Sequence, residues 1–210
     1  MPLLYGILGL ICAGGGAGIT MVKLPVEEEK KQRSRIMVCL LAASGFLMGW
    51  MISNRVDNLM AGIRLFLVLS VLAGAVYTDL NFTKIPNMFS LILLGGFLVL
   101  TIVDAVFEPE RALALGLGGL FGVVVMFLLT MLCRFVSRGG IGYGDVKILT
   151  ALGAILGIYG TFSLLLFAQI GAVVCSVGLL LMKKATIKDG VPFAPFFYLG
   201  YAVTLVLGTF

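Results

Sequence analysis

Long uncharged apolar stretches recur along the chain, separated by short clusters of charged residues, glycine and proline. Most are about 20 residues long, enough to cross a hydrocarbon core of about 30 Å as a helix. Eight spans can be drawn, at 3–22, 36–53, 62–80, 87–104, 112–133, 146–159, 161–182 and 192–210. Arg64 and Asp79 bracket the uncharged part of the third. The sixth and seventh share one uncharged run, which Gly157-Ile158-Tyr159-Gly160-Thr161 divides as a turn. One long tilted helix is the alternative there. The pattern therefore predicts an all-α, polytopic transmembrane helix bundle, one domain over residues 1–210, with about eight spans and six to eight as the range.

Composition agrees with this reading. Hydrophobic residues make up 60% of the 210 positions and charged residues 12%, and the mean hydropathy is +1.14. A soluble domain carries about twice that charge fraction. There is no histidine, which excludes Ser-His-Asp and Cys-His catalysis and every His-ligated metal site. Cys12, Cys39, Cys133 and Cys175 lie in or beside apolar spans and form no CxxC pair, so they read as packing residues rather than a disulfide framework. Met1-Pro2-Leu3-Leu4 lacks a basic n-region, so the first span is expected to be a retained helix rather than a cleaved signal.

The net charge of +5 reflects bilayer orientation, not nucleic-acid binding. If the loop at 23–35 is cytoplasmic, alternation places twelve of the fifteen lysines and arginines on that side. Only Arg55, Arg64 and Arg111 fall on the other. Both termini are then extracytoplasmic. Separating the sixth and seventh spans keeps Lys183, Lys184 and Lys188 inside. Small residues at helical spacing, as in residues 116–122 and 153–157, let helices approach closely or open a groove for a substrate helix.

Among the ten acidic residues, eight read as solvated loop charge: Glu27, Glu28, Glu29, Asp57, Asp104, Glu108, Glu110 and Asp189. Asp79 closes the third apolar run and Asp145 opens the sixth. A carboxylate at bilayer depth is a functional candidate by default. Two intervening spans return the chain to the same side, which any two-carboxylate site requires. The plainer readings are that Asp145 caps a helix starting at Val146 and that Asp79 is an interfacial residue balanced by Lys84.

Three motifs in order carry a resemblance. Asp79-Leu80-Asn81-Phe82-Thr83-Lys84-Ile85-Pro86-Asn87, Gly142-Tyr143-Gly144-Asp145-Val146-Lys147 and Val191-Pro192-Phe193-Ala194-Pro195 resemble the first-aspartate, GxGDxK and PFGP-like segments of the type IV prepilin peptidase family. The resemblance covers roughly residues 60–210. It implies an aspartic endopeptidase with Asp79 and Asp145 as the catalytic dyad, needing no metal or cofactor. The implied substrate is a prepilin-like precursor with a basic leader and an apolar helix, cut at the cytoplasmic membrane face, commonly after Gly. The implied setting is a prokaryotic inner or plasma membrane and a pilus-assembly or secretion pathway. Bifunctional members carry paired CxxC motifs in a cytoplasmic region associated with zinc and N-methylation. The short loop at 23–35 has none, so methyltransferase activity and structural zinc are not expected.

Two carboxylates close together in a low-dielectric setting share a proton. The ionised one activates water; the protonated one polarises the scissile carbonyl and then protonates the leaving amine. Gly142 and Gly144 suit a tight, mobile turn before Asp145. Pro86 suits the start of the helix that opens at Asn87. Lys147 either tunes the dyad or sits on lipid phosphate. Pro192 and Pro195 either shape a substrate cleft or start the last helix. The main alternative is an ion-coupled transporter using intramembrane carboxylates. Others are a metal-dependent lipid phosphotransferase, which usually needs more acids on one face, and a catalytically silent assembly partner.

Overall fold

A computed structural model describes residues 2–24, 28–56, 58–137, 140–182 and 191–209. Among these residues helix is the only regular structure. The elements are α1 (Pro2–Lys23), α2 (Glu28–Ser53), α3 (Leu59–Phe82), α4 (Asn87–Phe107), α5 (Pro109–Val136), α6 (Tyr143–Leu181) and α7 (Ala194–Leu207). The first six are long and apolar enough to cross a membrane. Large side chains such as Leu3, Ile11, Leu113, Leu128, Phe135 and Val174 point outward, the surface of a protein whose solvent is lipid. The molecule is an all-α membrane helix bundle.

Most helix ends fall within a few residues of the apolar boundaries. The exception is α2, which begins at Glu28 rather than 36. The charged residues between Lys30 and Arg35 are good helix formers and continue the helix beyond its apolar part. Much of the 23–35 segment is thus helix. Residues 25–27, Asp57, Arg138 and the 183–190 segment, with its three lysines and Asp189, lie outside the described residues.

α6 contains one residue that is not helical: Gly157, with φ 67° and ψ −171°. That backbone region is essentially restricted to glycine. Residues Asp145, Leu149, Leu165 and Gln169 line a single cavity. On a straight helix the first and last of these lie roughly 36 Å apart. Both can reach one cavity only because the chain folds back at Gly157, which lies midway between them in sequence. The run therefore forms a helical hairpin with limbs at 143–156 and 158–181. The break comes at the beginning of the Gly157–Thr161 segment, and the described residues form eight helical segments.

α3 is the central element. Of its membrane-length stretch 67% is buried, against 28% or less in the other five long helices. α1 packs on α2 and α3, α5 on α6, and α7 on α6 and α3. Several of these contacts are backbone to backbone. A side chain at Gly9 would strike the Gly45 carbonyl, one at Gly16 the Ser70 carbonyl, and one at Gly200 the Leu164 carbonyl. Small residues at such crossings are how helices associate where lipid removes the hydrophobic drive.

Gly122 meets the Gly153 carbonyl in the same way, between α5 and α6. Gly122→Val should cost about 1–3 kcal/mol, the usual range for overpacking a fitted contact. Gly118→Ala, with open space at its Cβ position, should be neutral or gain up to about 1 kcal/mol in helix propensity. Unfolding midpoints in detergent micelles measure both, and equal effects would contradict the close crossing.

Candidate active site

The third helix ends at Thr83, whose N–H donates to the Asp79 carbonyl at 2.9 Å. Thr83 has φ 52°, a conformation unusual for a β-branched residue. This sharp stop turns the chain into the Lys84–Pro86 connection directly after the last turn, which carries Asp79. The Asp79 side chain points into the protein and is 7% exposed. Its Oδ2 accepts the Ala194 N–H at 2.8 Å.

The reason lies in α7. It is only 14 residues long, about 21 Å, so it cannot span a core of about 30 Å. Its first residue, Ala194, is fully buried. The N-terminus of α7 therefore opens inside the bundle, where its unpaired N–H groups and dipole favour an anion. Asp79 fills that position. Phe193, the N-cap, packs edge-on against Phe196 and Phe197 with ring centroids 5.9 and 5.1 Å apart, which holds the turn beside the carboxylate.

Asp145 lies in the first turn of α6. The helix begins at Tyr143 with Gly142 as N-cap, three residues earlier than an N-cap role for Asp145 would require. Asp145 is the third helical residue, the position from which a side chain turns back toward the N-cap. A side chain on Gly142 would lie 3.1 Å from Asp145 Oδ2, and one on Gly144 would lie 3.1 Å from Ile85 Cβ. Gly142 has φ −65° and ψ 145°, open to any residue, so space rather than conformational freedom calls for glycine. Gly144 lets the Asp145 turn sit against the α3–α4 connection. Arg134 fixes the approach: it donates to the Ile141 carbonyl, and its guanidinium lies 3.7 Å from the centre of the Tyr143 ring.

Asp79 and Asp145 line one cavity of about 590 Å³. Leu149, Leu165, Phe193 and Phe197 supply apolar wall; Thr83 and Gln169 are its other polar side chains. Two carboxylates on separate helices, one held by a backbone donor, in a mostly apolar chamber have the composition of an acid–base pair able to activate water. Among the described residues no group of three His, Cys, Asp or Glu is placed to hold a metal.

The remaining sequence candidates scatter around this chamber. Pro192 lines it, whereas Pro195 sits in the first turn of α7. Pro86 is the N-cap of α4 and lines a separate apolar cavity with Lys23. Lys147 is exposed and donates to Asn87 Oδ1 at 2.9 Å; both line a third cavity on another side of α6. Lys84 is exposed and lines none of these three. Sequence reasoning missed the Ala194 amide, a backbone group with no residue signature. It also missed Gln169, though a lone side-chain amide in an apolar span is a visible signal.

The sequence pattern that describes the type IV leader peptidase family matches residues 65–177, just over half the chain, and both aspartates lie within it. The chain belongs to the type IV leader peptidase family. It is similar to a prepilin leader peptidase/N-methyltransferase of Aeromonas salmonicida, with 27% identity over 139 residues, 66% of this chain and 47% of that protein. A protein of the same description from Bacillus subtilis is 24% identical over 176 residues, 82% of this chain and 64% of the relative. One from Burkholderia pseudomallei is 34% identical over 137 residues, 62% of this chain and 42% of the relative. The chain spans about half the length of the relatives it matches. No solved structure matches.

The leader peptidase match places the Asp79 end of α3, the hairpin at Gly157 and Gln169 within the shared region. It stops before α7. The helix whose N-terminus holds Asp79 thus completes the chamber from outside the matched segment, joined to it by physical contact.

Proposed function

We propose that this leader peptidase family member is a membrane-embedded aspartic endopeptidase that removes the leader from prepilin-like precursors at the cytoplasmic face. The observation that carries the reading is the convergence of Asp79 and Asp145, from the end of one helix and the start of another, on one chamber. Two carboxylates so placed share a proton. The ionised member takes a proton from water, and the resulting hydroxide adds to the scissile carbonyl, which the protonated member polarises. That member then delivers its proton to the leaving amine. The pair titrates as a unit. The Ala194 amide steadies Asp79 through the cycle.

The cytoplasmic assignment follows from charge. Lys23, Lys84, Arg134 and Lys147 sit at the helix ends that share a side with the dyad, and such residues concentrate on the cytoplasmic side of a bilayer. The precursor's apolar helix would then stay in the membrane while its basic leader lies among cytoplasmic groups. Cleavage without N-methyl transfer belongs to the same proposal, because no CxxC pair occurs in the sequence and little chain separates α1 from α2.

Purified protein in liposomes should release the leader from a prepilin-like precursor, detected as two fragments by mass spectrometry. A chelator should leave the rate within about twofold. With S-adenosylmethionine present, the mature fragment should keep an unmethylated N-terminus. An intact precursor after prolonged incubation would reject the peptidase. A rate abolished by chelator would move the reading to metal-assisted hydrolysis.

A further inference from the structure

The polar side chains of the dyad chamber differ in one respect. Asp79 accepts the Ala194 N–H, Asp145 lies against Gly142, and the Thr83 hydroxyl donates to the Phe82 carbonyl at 2.7 Å. Gln169 is exposed and has no hydrogen-bond partner among the described residues. It is the only side-chain amide in the limb 158–181, otherwise mostly Leu, Val, Ile, Phe, Ala and Gly. An exposed amide on an apolar limb keeps its donors and acceptor free for a ligand, and polar groups in such spans usually mark function. The hairpin puts Gln169 level with Asp145, since each lies twelve residues from Gly157 on its own limb.

We infer that Gln169 is a substrate-positioning residue that binds a backbone amide beside the scissile bond. The inference rests on the peptidase reading. A peptide bond inside a helix has its C=O and N–H engaged and its carbonyl shielded, so a precursor helix must unwind at the cut. Unwinding in a low-dielectric site leaves backbone groups unsatisfied. A glutamine side chain offers one acceptor and two donors, the complement of one peptide group. It therefore recognises extended backbone rather than any particular side chain, and holds the scissile carbonyl over the dyad.

The test compares wild type with Gln169→Leu on a synthetic precursor peptide. Two further peptides each carry an ester in place of the peptide bond on one side of the scissile bond, which removes a single N–H. Loss of one hydrogen bond to a group otherwise left unsatisfied predicts a fall in kcat/KM of about 10- to 100-fold for Gln169→Leu, with its unfolding midpoint unchanged. One of the esters should be slowed comparably in wild type and no further in Gln169→Leu. The ester measurement on wild type stands even if the variant folds poorly. Equal cleavage of amide and both esters by wild type would overturn the inference, as would a Gln169→Leu enzyme as fast as wild type. Absence of any cleavage by wild type would instead overturn the peptidase reading itself.

Discussion

Asp79→Asn and Asp145→Asn should each lower the cleavage rate by at least about 10³-fold, within the range that positioned acid–base groups supply. Asparagine keeps the shape and still accepts a hydrogen bond, so Asp79→Asn retains its contact with the Ala194 amide. What it loses is the exchangeable proton. The two carboxylates act as one unit, so the double variant should be no slower than either single variant. That non-additivity separates a dyad from two independent contributors, whose losses would multiply. Glu110→Gln, exposed in the first turn of α5 at the other end of the bundle, should cleave normally. The measurement is single-turnover cleavage in liposomes. Activity retained within tenfold by either single variant would remove that aspartate from the chemistry, and with it the dyad.

Much of this architecture can be read from the sequence because lipid simplifies the code. A helix that must satisfy its own backbone and face hydrocarbon shows up as a long uncharged run, and the eight stretches drawn from the sequence became helices or limbs. Limits appear where the deciding group has no sequence signature. Helix α2 extends into the charged segment because Lys, Arg and Gln favour helix regardless of solvent. The Gly157 break was visible as a glycine-rich turn, but which glycine would take positive φ depends on how the two limbs pack. The Asp79 motif was visible; the N–H group that holds Asp79 was not, because it belongs to the backbone of Ala194. Lys147 and Asn87 sit beside the motif aspartates in sequence yet bond to each other at 2.9 Å. One helical turn separates neighbours in sequence onto different faces.

Asp104 is the residue whose sequence reading the structure overturns, and it supports the second large prediction. It lies near the end of its apolar run and reads as solvated loop charge. In the structure α4 continues to Phe107, and Asp104 is 3% exposed, paired with the equally buried Arg64 of α3 at 2.6 Å. Thr101 on α4 also accepts from Arg64, at 3.4 Å. The pair lies at the opposite end of α3 from Asp79, where it fixes the rotation of the helix that carries that residue. Replacing one member leaves the other charged and buried, so Arg64→Met or Asp104→Leu should each cost about 3–5 kcal/mol. The double replacement puts two apolar side chains in contact and should cost less than either single change. Arg64 Nε has no partner even in the intact site, so the ion pair is incompletely satisfied and its apolar substitute has less to match. Denaturant unfolding of the four proteins in micelles measures the cycle. Additive losses would mean that the two groups do not interact. Cleavage distinguishes this acid from the other two. The double variant, still folded, should continue to cut the precursor, because Asp104 contributes packing between helices and Asp79 and Asp145 contribute protons.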